Sequence, residues 1–225
     1  MSTPVFVLIS GPAGAGKTTA SALITRFIHD EFERQKVRRT VLQASFAGSL
    51  KEAVTRAESF FGFPRCREQP SFGDSRTFSD PAKHTTDWSD YEQKAAARPL
   101  LVELGRHLRR KNPDIFADYL YRCIESQYAP APSIVVIEDW RYMNEYRYLA
   151  SRVTTIPLRI VRPGAEPANE EERESLAGID EVFLELPHCL EVRNEREHTL
   201  DDLRRSAEAV ASHLLNIAER RTLQP

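Results

Sequence analysis

The chain has 225 residues, 41% of them hydrophobic and 28% charged, with a formal net charge of −2. That length suits one domain with a core of its own, and the near balance of charge excludes a global pull toward nucleic acid or an anionic membrane. Three widely spaced cysteines, Cys66, Cys123 and Cys189, fit no metal or redox pattern, and no apolar run reaches the length of a membrane span. Reduced thiols and a cytoplasmic location are therefore expected.

The first predicted element is an apolar strand, Val5–Ser10, and a helix follows it with Ala20, Leu23, Ile24, Phe27 and Ile28 on one face. Between them, "GPAGAGKT" (residues 11–18) fits the pattern G-x-x-x-x-G-K-[ST]. Only small residues let successive backbone N–H groups turn inward around an anion, and the helix N-terminus adds partial positive charge. Strand, glycine loop and helix are the setting that a phosphate-binding loop requires. The reading assigns Gly11, Ala13, Gly14, Ala15, Gly16, Lys17, Thr18 and Thr19 to the phosphates of a nucleoside triphosphate, with Lys17 reaching the β- and γ-phosphates and the Thr18 hydroxyl ligating Mg²⁺. Lys17 is thereby a catalytic candidate.

Further strands are expected at Thr40–Ser45, Ser133–Ile137, Thr155–Val161 and Leu190–Val192. Helical stripes lie between them: Leu50 to Phe61, Leu100 to Leu108, and Ile115 to Ile124 after Pro113. A last helix opens at Thr199 with Asp202 three residues on. Alternating strands and helices predict a doubly wound α/β fold with a mainly parallel five-stranded sheet and ligands at the C-terminal strand ends. Two stretches break the pattern: residues 62–95, rich in Pro, Gly, Asp and Ser, and the acidic, turn-rich "PGAEPANEEERESLAGID" at 163–180. Within a single domain spanning 1–225 they are expected to be an acceptor-binding insertion and a lid.

The third strand ends in Glu138-Asp139, with Arg141 just beyond. An acid there can hold the water shell of a metal or cap the helix that starts near Tyr142; Asp139 is assigned to the metal as a catalytic residue. Arg141 stands where a second anion would lie, and in "ARPLLVELGRHLRR" Arg98, at the expected helix start, and Arg109, three turns on, add two further forks suited to phosphate. The basic clusters "RQKVRR" and "RHLRRK" read as solvated helix faces.

Taken in order, "GPAGAGKTT", "SFAGSLKEAVTRAESFFGF", "RPLLVELGRHLRRKNPDIF" and "DWRYMNE", with a weaker "LEVRNEREHTLDDL", resemble the deoxynucleoside monophosphate kinases of bacteriophages, a branch of the P-loop nucleotide kinases. The resemblance spans almost the whole chain. It implies Mg²⁺- and ATP-dependent phosphorylation of a small nucleotide acceptor, in a host cytoplasm if the protein is phage-encoded. It further implies that Lys51, Arg98 and Arg141 contact the acceptor or the transferring phosphate, that Asp139 holds the metal shell, and that Asn194 lies near adenine. Arg162, in "RIVRPG", joins the substrate-binding set, although "EEERESLAG" then replaces the family's usual lid run and leaves residues such as Arg173 without a match. The alternative acceptor is a hydroxyl group, on a small metabolite or on a hydroxymethylated pyrimidine in phage DNA. A nucleotide-driven switch is disfavoured because no motor motif follows the loop. Neither a nucleic acid nor a membrane is the expected partner, and a homodimer is allowed.

Overall fold

The structure is a computed structural model of the whole chain, and it describes residues 4–61, 86–88, 90–127, 133–186, 189–195 and 199–222. The chain divides into two compact units, Met1–Phe46 with Asp114–Pro225, and Ala47–Pro113.

The first unit is built on five strands: β1 (Val5–Ser10), β2 (Val41–Ala44), β3 (Ile134–Ile137), β4 (Thr154–Val161) and β5 (Leu190–Arg193). Their order is β2-β3-β1-β4-β5, and every pairing is parallel. The predicted α/β class and sheet are thus what the chain forms. β1 is buried along its whole length, as expected of a central parallel strand covered on both faces. Its alternate residues serve two layers. Val5, Val7 and Ile9 join a core with Ala20, Ile24, Ile28 and Phe32 of α1 (Lys17–Gln35) and Leu203, Ala207, Val210 and Leu214 of α7 (Leu200–Thr222). On the other face, Phe6 meets Tyr121 of α4 (Ile115–Gln127), with ring centroids 6.5 Å apart. Removing one of these fully buried side chains, as in Ile24→Ala, would cost about 2–5 kcal/mol.

The second unit contains α2 (Gly48–Phe61) and α3 (Tyr91–Lys111), joined in part by Trp88 Nε1, which donates to Thr55 Oγ1 at 2.9 Å. α3 corrects the sequence reading. It begins at Tyr91, capped by the Asp90 carboxylate, so it enters the stretch assigned to the 62–95 insertion, and it runs straight through Pro99. Arg98 therefore lies in the helix interior, not at its start. Residues 62–85 of that insertion, and Cys66 with them, lie outside the described residues.

The 163–180 segment is also more ordered than its composition suggests. Residues 170 onward form α6 (Glu170–Glu185). The Asn169 side chain accepts from the Glu172 N–H at 2.8 Å, and the Glu172 carboxylate accepts from the Ala168 N–H at 2.6 Å, a reciprocal arrangement of the capping-box kind. Ile179 is buried, while the Trp140 and Phe183 rings meet at a tilt with centroids 6.0 Å apart. Between β3 and β4 runs the short helix α5 (Met143–Ala150). Among the described residues no helix is long and apolar enough to cross a membrane.

Candidate phosphate-binding site

Residues 11–16 turn the chain from the end of β1 into α1 without a side-chain cap; Gly16 itself is the N-cap, at φ 96°. A non-glycine residue there would be strained. Its Cβ would also lie 2.8 Å from Asn194 Nδ2. At the loop's other end, a Cβ on Gly11 would run into the Ile160 carbonyl of β4. The glycines of the motif thus answer to close packing as well as to anion access.

The loop's carbonyls are taken up by neighbours. Lys17 Nζ donates to the Gly11 carbonyl at 2.7 Å and to that of Pro12 at 2.9 Å. The Ala15 N–H closes a turn onto Pro12 at 3.2 Å. From the ends of β4 and β5, Arg162 Nη1 donates to the Gly14 carbonyl at 3.0 Å and Asn194 Nδ2 to that of Ala15 at 2.9 Å. In a trans peptide the N–H points opposite to the carbonyl, so the Asn194 bond to the Ala15 carbonyl turns the Gly16 N–H to the other side, where an anion can meet it. Burial holds the Lys17 ammonium below the usual lysine range; nearby Glu172 opposes this, Arg141 adds to it, and Asp139 and Glu138 favour the charged form. A partly buried ammonium whose charge is disfavoured is one that a polyphosphate would stabilise.

Asp139 follows β3, the strand next to β1, and the Trp140 N–H ties this end to the Ile9 carbonyl at 3.1 Å. Of its two sequence readings, the capping one does not hold. Glu145, buried, caps α5 by accepting from the N–H groups of Tyr142 and Arg141 at 3.1 and 3.2 Å. Asp139 instead accepts from Ser45 Oγ and from the Phe46 N–H, both at 2.7 Å, and so fastens the end of β2 to the end of β3. A carboxylate at this strand end, beside the loop, suits a hydrated cation.

A residue that sequence reasoning missed is Glu172. Its side chain is 5% exposed and lies 3.8 Å from Arg141 Nη2, whose side chain is 49% exposed. Its neighbour Glu171 accepts from the Tyr142 hydroxyl at 2.8 Å. The first turn of α6 is thereby docked on the segment that carries Asp139 and Arg141. Within a run of glutamates a buried one looks like its exposed neighbours; only the N-x-x-E spacing from Asn169 marks it.

The first unit accordingly gathers Lys17, Asp139, Arg141, Arg162, Glu172 and Asn194 at or near the loop, with Thr18 and Thr19 exposed in the first turn of α1. Lys51 on α2 and Arg98 and Arg109 on α3 belong to the second unit: Lys51 is half-buried, Arg98 is exposed, and Arg109 passes beside Gly105. Arg173 pairs with Glu170 along α6.

No family model and no curated protein sequence matches the chain. Among solved structures it is similar to a dephospho-CoA kinase from Campylobacter jejuni, at 11% identity over 95% of this chain and 98% of that one, with a TM-score of 0.41. It is also similar to a sugar kinase from a Janibacter species, at 13% identity over 97% and 98% of the two chains, with a TM-score of 0.36. Likenesses this distant add nothing to the reading of the site, which rests on the residues just described.

The residues present fit Mg-ATP. The Gly16 N–H, a partly buried ammonium and a helix N-terminus suit a polyphosphate, while one hydroxyl (Thr18) and one carboxylate (Asp139) are the sparse donor set that Mg²⁺ accepts when phosphate oxygens and water complete its shell. Among the described residues no cluster of three or more His, Cys, Asp or Glu could hold a metal by itself.

Proposed function

We propose that the protein transfers the γ-phosphoryl group of Mg-ATP to the 5′-phosphate of a free deoxynucleoside monophosphate, giving the diphosphate. The observation that carries the phosphoryl-transfer half is the phosphate loop itself, with Lys17 against its carbonyls and Asp139 and Arg141 at the end of the adjacent strand. The acceptor half is supported by the ordered sequence blocks.

Phosphoryl transfer asks little covalent work of a protein, so positioning and charge neutralisation supply the catalysis. Lys17 would follow the charge on the β- and γ-phosphates, and the loop N–H groups would hold the donor in place. Mg²⁺, when bound through Thr18 and the shell around Asp139, supplies neutralisation of the phosphate oxygens. Arg141 would meet charge that grows between donor and acceptor, where its fork can grip two oxygens at once. Glu172 occupies that guanidinium in the meantime, at 3.8 Å. Lys51, Arg98 and Arg109 would bind the acceptor.

A coupled assay of ADP formation over a panel of deoxynucleoside monophosphates tests the reading directly. At least one should be phosphorylated, and activity should depend only shallowly on salt. A protein gripping several DNA phosphates would instead lose affinity with a log–log slope of roughly −0.9 per contact. The net charge of −2 and the three glutamates that open α6 favour the first behaviour. Label transfer into hydroxymethylated DNA, with every free monophosphate inert, would replace this acceptor with the hydroxyl one.

A further inference from the structure

Asn194 lies 179 positions from Ala15 in sequence, yet its side-chain amide donates to the Ala15 carbonyl at 2.9 Å. Its own backbone is fixed in turn, since the Asn194 N–H donates to the Val161 carbonyl of β4 at 2.7 Å. The same amide nitrogen would stand 2.8 Å from a Cβ on Gly16, so the loop passes directly beneath it. The family resemblance puts Asn194 near adenine; the bond to Ala15 puts its amide on the phosphate loop.

We propose that Asn194 is a positioning residue for the phosphate loop, clamping the Ala15–Gly16 peptide so that the Gly16 N–H is presented to a polyphosphate. The physics is that of a planar trans peptide: a carbonyl drawn to one side puts the following N–H on the other. The clamp matters at this peptide because Gly16 has no Cβ to restrict its backbone and so would otherwise sample many orientations. Holding it beforehand removes an ordering cost from binding. Arg162, on the Gly14 carbonyl at 3.0 Å, secures the preceding peptide from the neighbouring strand. The proposal rests on the loop being the polyphosphate site.

The test separates loop positioning from base contact by using a ligand without a base. Affinities of the full-length protein for inorganic tripolyphosphate and for ATP, both with Mg²⁺, are measured by titration calorimetry in the wild type, Asn194→Ala and Asn194→Asp. Loss of one such hydrogen bond should weaken tripolyphosphate by about fivefold to tenfold in Asn194→Ala, and ATP by the same factor. Asn194→Asp should be worse for both ligands, because a carboxylate would face the Ala15 carbonyl. Weakened ATP with unchanged tripolyphosphate would overturn the proposal in favour of a base contact, and no change in either would show the contact idle. A wild type that binds neither ligand would remove the loop assignment itself, and this proposal with it. If Asn194→Ala loses its circular dichroism signal, Asn194→Ser decides the matter: its hydroxyl can still donate, so partial recovery of both affinities in step is expected, and recovery of neither overturns the clamp.

Discussion

Lys17→Ala should lower turnover by about a hundredfold or more while leaving the fold intact, since electrostatic groups aimed at developing charge are typically the largest catalytic contribution. The fold should survive for a specific reason. Lys17 is a partly buried ammonium whose charge is disfavoured where it lies, and its two hydrogen bonds go to carbonyls of an open loop. Deleting it removes a desolvated charge along with two contacts, so thermal unfolding should shift little. Steady-state ADP formation together with a melting curve checks both halves. Near-normal turnover in this variant would remove residues 11–18 as the catalytic phosphate site.

The second large effect is expected at Asp139, where the two obvious substitutions part company. In Asp139→Asn the amide oxygen can still accept from the Phe46 N–H, and the amide nitrogen can donate to the Ser45 hydroxyl, which rotates to receive it. The join between β2 and β3 should therefore persist. What disappears is the negative charge, so activity should fall by roughly a hundredfold to a thousandfold, with a higher Mg²⁺ concentration needed for half-maximal rate. In Asp139→Ala both contacts go as well, adding a stability loss of about 1–3 kcal/mol. If Asp139→Asn melted like Asp139→Ala but kept its activity and Mg²⁺ dependence, Asp139 would be a fold residue only.

How far these sites could be read from sequence varies with the length scale of the physics. β1, β3 and β4 were legible because buried parallel strands are apolar runs, β2 and β5 by their place between helical stripes, and the loop because its spacing is dictated by local backbone geometry. Two local signals misled. Arg98 is expected at a helix start, yet α3 already runs for two turns before Pro99, started by Asp90. The glutamate run with Gly178 reads as turn-rich, but Asn169 and Glu172 cap each other and Ile179 anchors the helix that follows. The contacts that decide the site's electrostatics were beyond reach for another reason. Arg141 with Glu172, and Ala15 with Asn194, join residues brought together only by the order of the strands and by the docking of α6.

β5 is four residues long and lies at one rim of the sheet, with β4 as its one paired neighbour among the described residues. Such a strand opens transiently far more often than β1 at the centre, which opens only when the whole unit unfolds. An opening of β5 would carry Asn194 away from the loop and so would link the rim's opening equilibrium to the loop's affinity. A polyphosphate that binds only the clamped loop raises the free energy of opening by about 2.7 kcal/mol at a hundred times its dissociation constant. In an amide hydrogen-exchange experiment, Leu190–Arg193 should slow on addition of nucleotide by a factor that follows its concentration, making the sheet's outermost strand a reporter of occupancy at its centre.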